Sequence, residues 1–309
     1  MTTERTRLSP IWYVLGAVLL WSTGGLFIKL TTLDAYQVTF FRSLLAGLTV
    51  LIVTRRNGLR INLFGAFCSI IYAILLFLFV WATKHTTAAN AIFLQYTAPV
   101  YILVLAPFVI GEKFHLRDLA TVIVCIAGMS LFFVGDLTIG DYQGNIAALG
   151  SGIFLGLYIM LLKHPRFAGA PAAGLPASAA DVPQRVQTER PFSPVATVIY
   201  GNFLLAVLTL PMGIAAVPTI TPLDMAAVGF LGIVQIGISY ILFIKGVTGG
   251  TRPLDASIIG FIEPLLNPVW VFLFVGEQPS NWAILGGIII VATVVIHTLN
   301  QYRRRPAAA

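Results

Sequence analysis

Glu263 sits inside an apolar run, Ala256 to Val275, where a carboxylate is out of place unless protein or water receives it. An ionisable group at bilayer depth costs roughly 2.5 kcal/mol or more, so such residues are retained for a reason. Read as one helix, the run places Ala256, Gly260, Glu263, Asn267 and Trp270 on one face. Pro264 and Pro268 lack backbone donors and leave carbonyls free beside the carboxylate. A carboxylate, an amide and an indole beside a small gap suit a solute carrying an amine and apolar bulk. The competing expectation is that Glu263 accepts hydrogen bonds from neighbouring helices and holds them together.

Other apolar runs carry further candidates. Asn90, Thr97 and Tyr101 share a helical face, with Gln95 and Tyr96 nearby. Trp21 stands beside Ser22, Gly24 and Gly25, where backbones can approach closely, and Gln235 and Ser239 share a face. Tyr158 and Tyr240 offer aromatic walls, and Gly152-x-x-x-Gly156 is a small-residue packing contact. Arg42 suits a solute carboxylate, because guanidinium grips one bidentately. Its alternative is to snorkel outward or cap carbonyls of a neighbouring helix. Lys29 reads as an interfacial anchor.

Catalysis finds no such constellation. His85, His115, His164 and His297 are scattered without HExxH spacing, and no phosphate-binding Gly-rich loop occurs. Cys68 and Cys125 lie in apolar runs, so neither a disulfide framework nor a metal site is expected. No cofactor or metal is expected, and any transport is secondary rather than ATP-driven by this chain.

The positioning elements follow from composition. The chain is 58% hydrophobic and 10% charged, with a mean hydropathy of +0.90, which no water-soluble surface accommodates. Windows of about 20 apolar residues, matched to a hydrocarbon core of about 30 Å, fall at 11–30, 35–54, 61–82, 88–110, 119–135, 144–162, 195–216, 223–244, 256–275 and 281–299. The predicted fold is an all-α membrane protein of ten transmembrane helices. All Lys and Arg residues except Lys29, Lys84 and Arg42 fall on the side shared with the N terminus. Asp34, Asp136, Asp141, Asp224 and Glu277 fall on the other. Both termini are therefore expected in the cytoplasm. The net charge of +7 is thus a matter of topology, not of nucleic-acid binding.

Two runs repeat one pattern. AIFLQYTAPVYILVLAPFVIGE at 91–112 and ASIIGFIEPLLNPVWVFLFVGE at 256–277 share a proline (Pro99, Pro264) and, after eleven intervening residues, the pair Gly-Glu. Repeats of five spans each must enter the bilayer in opposite senses, so residues 10–135 and 143–300 are predicted to be two inverted five-helix repeats. An Ala/Pro-rich cytoplasmic tether is expected at 164–194.

The doubled Pro-x11-Gly-Glu, Phe41-Arg42-Ser43-Leu44-Leu45-Ala46 and Glu263-Pro264 resemble the drug/metabolite transporter superfamily, in particular its EamA-type exporters. The resemblance implies a bacterial cytoplasmic-membrane exporter of small metabolites, such as amino acids, working by alternating access. It also implies a lipid bilayer around the chain, and leaves oligomeric state and coupling to protons open. Multidrug or cation export is the alternative, followed by an intramembrane enzyme acting on lipid-linked substrates. The expected substrate contacts are Glu263, Asn267, Trp270, Asn90, Gln95, Thr97, Tyr101, Trp21 and Gln235.

Overall fold

The computed structural model describes residues 9–55, 59–131, 142–164, 193–275 and 281–304. Among these residues there are helices and no strands. In chain order the helices are α1 (Pro10–Trp21), α2 (Gly24–Leu30), α3 (Ala35–Thr54), α4 (Leu63–His85), α5 (Ala88–Gln95), α6 (Ala98–Val109) and α7 (Leu116–Ser130). Then come α8 (Tyr142–Leu161), α9 (Pro194–Leu208), α10 (Leu210–Ala216), α11 (Pro222–Thr248), α12 (Pro253–Gly260), α13 (Ile262–Val275) and α14 (Asn281–Arg304). Most of the expected 164–194 tether and the second Gly-Glu pair (Gly276, Glu277) lie outside the described residues.

Seven stretches are long and apolar enough to cross a bilayer: 10–30, 35–54, 63–85, 90–109, 142–161, 222–248 and 284–301. The pair α9 and α10 makes an eighth if it is one span, bent by 66°. Pro211 starts the second half of that pair, where its missing N–H costs nothing. α7 is 15 residues long, and α12 and α13 divide the expected ninth span. Large apolar side chains such as Ile52 and Phe108 stand 72% and 85% exposed, the surface a bilayer requires.

Local signals set the helix ends. The Asp34 side chain accepts from Gln37 N at 2.8 Å and Gln37 Oε1 accepts from Asp34 N at 3.0 Å, a complete capping box. Asn62 and Thr87 cap α4 and α5 in the same sense. After α6, Gly111 takes φ +69°, the left-handed stop that the Gly of the first Gly-Glu provides.

Three interruptions matter most. α1 yields to α2 at Ser22 and Thr23, α5 to α6 at Tyr96 and Thr97, and α12 to α13 at Phe261. Pro99 and Pro264 lie in the first turn of helices that restart after a break, where a missing N–H is tolerated. A fourth irregularity, the π-helical segment Leu231–Ile238, lies within α11.

Hydrogen bonds and rings tie the two ends of the bundle. At one end Ser193 N donates to Arg60 O at 3.0 Å, Tyr200 Oη to Leu59 O at 2.9 Å, and Phe64 packs on His164. At the other, Lys29 Nζ donates to Thr86 O at 2.8 Å and Lys84 Nζ to Thr31 O at 2.9 Å.

Candidate functional site

The interruptions converge on one place. A central cavity of about 30 Å³ is lined by Trp21, Arg42, Gln95, Tyr96, Gln235, Tyr240 and Glu263, with Leu75, Leu76, Phe79, Leu155 and Ile236 as apolar walls. Trp21 comes from the end of α1, Gln95 and Tyr96 from the α5–α6 break, Gln235 from the π segment, and Glu263 from the start of α13. Backbone irregularity at membrane depth is tolerated where it lines a cavity or is covered by protein, and transporters commonly place it beside their solute.

Glu263 occupies the first turn of α13, where the helix dipole favours a negative charge. Its Oε2 accepts a bond of 2.6 Å from Tyr96 Oη, and the carboxylate is 4% exposed. The Tyr96 ring in turn packs on Phe261, their centroids 5.7 Å apart. Across the cavity, Gln95 Nε2 donates to Ser151 Oγ at 2.6 Å, which anchors the break against α8. Gln235 approaches α2 so closely that a Cβ on Gly24 would stand 2.5 Å from its Nε2. At Gly24 it is thus a side chain, not the backbone of another helix, that comes close.

Aromatic rings form the base of this site. Trp21 packs against Tyr240 and Phe243 with centroids 4.9 and 4.8 Å apart, and Tyr240 meets Tyr72 edge-on at 4.8 Å. Tyr158 accompanies Tyr72 and is held by a 2.9 Å hydrogen bond between its hydroxyl and that of Thr197.

Arg42 does not reach outward. It is completely buried, and its Nη2 donates to Leu76 O at 3.3 Å, so only the carbonyl-capping half of the expectation is met. Its Nε and Nη1 have no partner, and neither do Trp21 Nε1 nor Gln235 Oε1.

Of the expected contacts, Trp21, Gln95, Gln235 and Glu263 meet at the cavity. Asn90 lies apart, bonded through Nδ2 to Thr86 Oγ1 at 3.3 Å. Thr97 donates to Leu94 O at 2.7 Å and reaches Tyr101 Oη at 3.5 Å, both outside the lining. Trp270 Nε1 donates to Ser22 Oγ at 2.9 Å, bracing the α1–α2 break from α13. The side chain of Asn267 is outside the described residues. The face expected from Ala256 to Trp270 is therefore interrupted at Phe261. Tyr96 and Arg42 are the lining residues that sequence reasoning undervalued. Tyr96 stands 165 positions before Phe261, so the two breaks fall at equivalent positions of the two similar runs.

Polar clusters lie towards both ends of the bundle. At one end Asp224, fully buried, accepts from Thr31 Oγ1 (2.7 Å), Thr32 N (2.7 Å), Thr32 Oγ1 (3.0 Å), Thr221 N (3.0 Å) and Thr221 Oγ1 (2.6 Å). At the other, Arg252 meets Asp118 at 3.0 Å, Glu112 at 3.6 Å and Asp255 at 3.8 Å, and His297 Nε2 meets Asp255 at 2.9 Å. Burial pushes the Glu112 carboxyl above its ordinary value, with Arg252 pulling the other way. Among the described residues no cluster of three or more His, Cys, Asp or Glu could hold a metal ion.

The EamA-like transporter family matches the chain over residues 8–134 and 170–299. An uncharacterized transporter of Archaeoglobus fulgidus is 26% identical, aligned over 93% of this chain and 96% of its own. The pseudopaline exporter CntI of Pseudomonas aeruginosa is 22% identical over 85% and 86%. A solved crystal structure superposes with a TM-score of 0.72 at 20% identity, covering 96% of this chain and 98% of the other, which establishes a shared fold. The two named relatives are a transporter and an exporter, and a small-molecule substrate and membrane lipid come with the transporter family. A multi-pass helical protein with this match belongs to the EamA-like transporter family.

Proposed function

We propose that the chain exports amino acids or related amphipathic metabolites across the bacterial cytoplasmic membrane by alternating access. The observation that carries this reading is Glu263: a buried carboxylate at a helix break, facing a central cavity with Tyr96 as its donor. An ammonium group is its chemical complement, and Trp21 and Tyr240 offer apolar and cation–π surface to the rest of the solute. The same carboxylate is the proposed site of any coupling proton.

The reading includes ten crossings as two inverted five-helix repeats, counting α7 and the α12–α13 pair as spans. Support comes from the two breaks, Tyr96 and Phe261, which occupy equivalent positions in the similar runs. It includes both termini in the cytoplasm, for which the placement of Lys and Arg is the support. Export of apolar cations is favoured by the same aromatic walls and carboxylate, and Arg42 is the feature that argues against it.

Counterflow in proteoliposomes tests the function: vesicles preloaded with an unlabelled neutral amino acid should accumulate the labelled one, and empty vesicles should not. Equal accumulation in both would remove the reading. A cytoplasmic-type reporter fused after Ala309 should be active, and activity of a periplasmic-type reporter there would overturn the topology.

A further inference from the structure

Arg42 stands in this cavity with its charge unspent. It is completely buried, yet Nε and Nη1 find no acceptor, and the single bond from Nη2 is long at 3.3 Å. Glu263 is not its counter-ion, because the ion pairs among the described residues are those of Arg252 and His297. A buried guanidinium without a carboxylate is a costly arrangement, and buried N–H groups are nearly always bonded. Trp21 adds one more unsatisfied donor, and Gln235 Oε1 an unsatisfied acceptor. The cavity therefore carries a cation with idle N–H donors and an anion with a phenol donor, kept from pairing with each other.

We propose that the cavity selects zwitterions, with the solute carboxylate taken by Arg42 and Trp21 Nε1 and its ammonium by Glu263 and Gln235 Oε1. This rests on the transport reading above and narrows it: a lone amine or apolar cation would leave Arg42 buried and unpaired, and would be rejected for that reason. Guanidinium suits the task because it stays charged when buried and offers donors in a fixed plane. The present cavity holds little more than a water molecule, so admission of a zwitterion requires the helix breaks to move apart.

The test uses the full chain in proteoliposomes with matched triples: leucine, leucinamide and isoamylamine, and likewise the phenylalanine series. Counterflow is inhibited by each member in turn, and its apparent affinity is read. The zwitterion of at least one series should be at least tenfold tighter than its amide and its amine. Arg42→Gln should weaken that zwitterion and tighten its amine, which no longer leaves a buried guanidinium unpaired, so that the two affinities converge, with Arg42→Lys intermediate. Equal affinity for zwitterion and amine in the wild-type protein overturns the assignment while leaving amine transport standing. Equal weakening of both by Arg42→Gln does the same. Absence of counterflow with every amine-bearing probe sinks the transport reading itself, and the assignment with it. The wild-type comparison needs no variant, so a misfolded Arg42→Gln does not rescue the idea.

Discussion

Glu263→Gln keeps the side-chain shape but removes the charge that the cavity presents. Flux of an amine-bearing solute per folded molecule should fall at least tenfold, since a charge-assisted contact is worth about 1.5–3 kcal/mol. The melting temperature should change little or rise, because no charge then has to stay at membrane depth. Tyr96→Phe removes the 2.6 Å donor while leaving the acid, and should lower flux by a smaller factor. Normal flux with a lowered melting point in Glu263→Gln would instead make the residue a structural bond between α13 and Tyr96. At this scale the sequence was informative about charged and amide groups. Glu263, Gln95 and Gln235 stand out in apolar runs because each costs free energy there. Tyr96 did not stand out, since an aromatic ring in an apolar run is ordinary. Arg42 was visible, but its burial depends on which helices surround it.

Helical periodicity is reliable only while a helix continues. Asn90, Thr97 and Tyr101 share a face on paper, yet the chain breaks at Tyr96 and Thr97, and the register on either side is independent. The prolines marked the right places, but the pattern alone does not tell a kink from a restart. What stabilises the α5–α6 break is packing against α8: a Cβ on Gly152 would stand 2.7 Å from Gln95 O and 3.1 Å from Leu94 O. Gly152→Ala should therefore destabilise by about 1–3 kcal/mol and reduce flux, as a methyl group forces the break away from α8. Gly229→Ala is the matched control, since nothing lies within 4 Å of a Cβ there. It should be neutral or slightly stabilising, because Ala loses less conformational entropy in a helix. Equal melting points for the two variants would mean that the break does not depend on this contact.

Viewed as a whole, the molecule ties off its cavity towards both ends. The basic end was legible in the sequence, because Lys and Arg distribution depends only on chain position. The contacts across each end were not, since Asp224 meets Thr31 and Arg252 meets Asp118 over long sequence separations. Under the alternating access proposed above, these closures release one at a time. Asp224→Asn weakens the end tied by Thr31, Thr32 and Thr221. Arg252→Gln leaves Glu112, Asp118 and Asp255 facing one another without their cation, at a place where burial already disfavours the Glu112 charge. A single cysteine at Ile236, on the cavity wall, reports which end opens when Cys68 and Cys125 are replaced by Ala. A membrane-impermeant maleimide should label it about tenfold faster from the outside in Asp224→Asn, and from the cytoplasmic side in Arg252→Gln. That factor follows from losing one charge-assisted bond of about 1.5–3 kcal/mol in the closed state. Reversed sidedness would invert the assigned orientation. Acceleration from one side only, whichever variant is used, would mean that the two clusters hold a single gate.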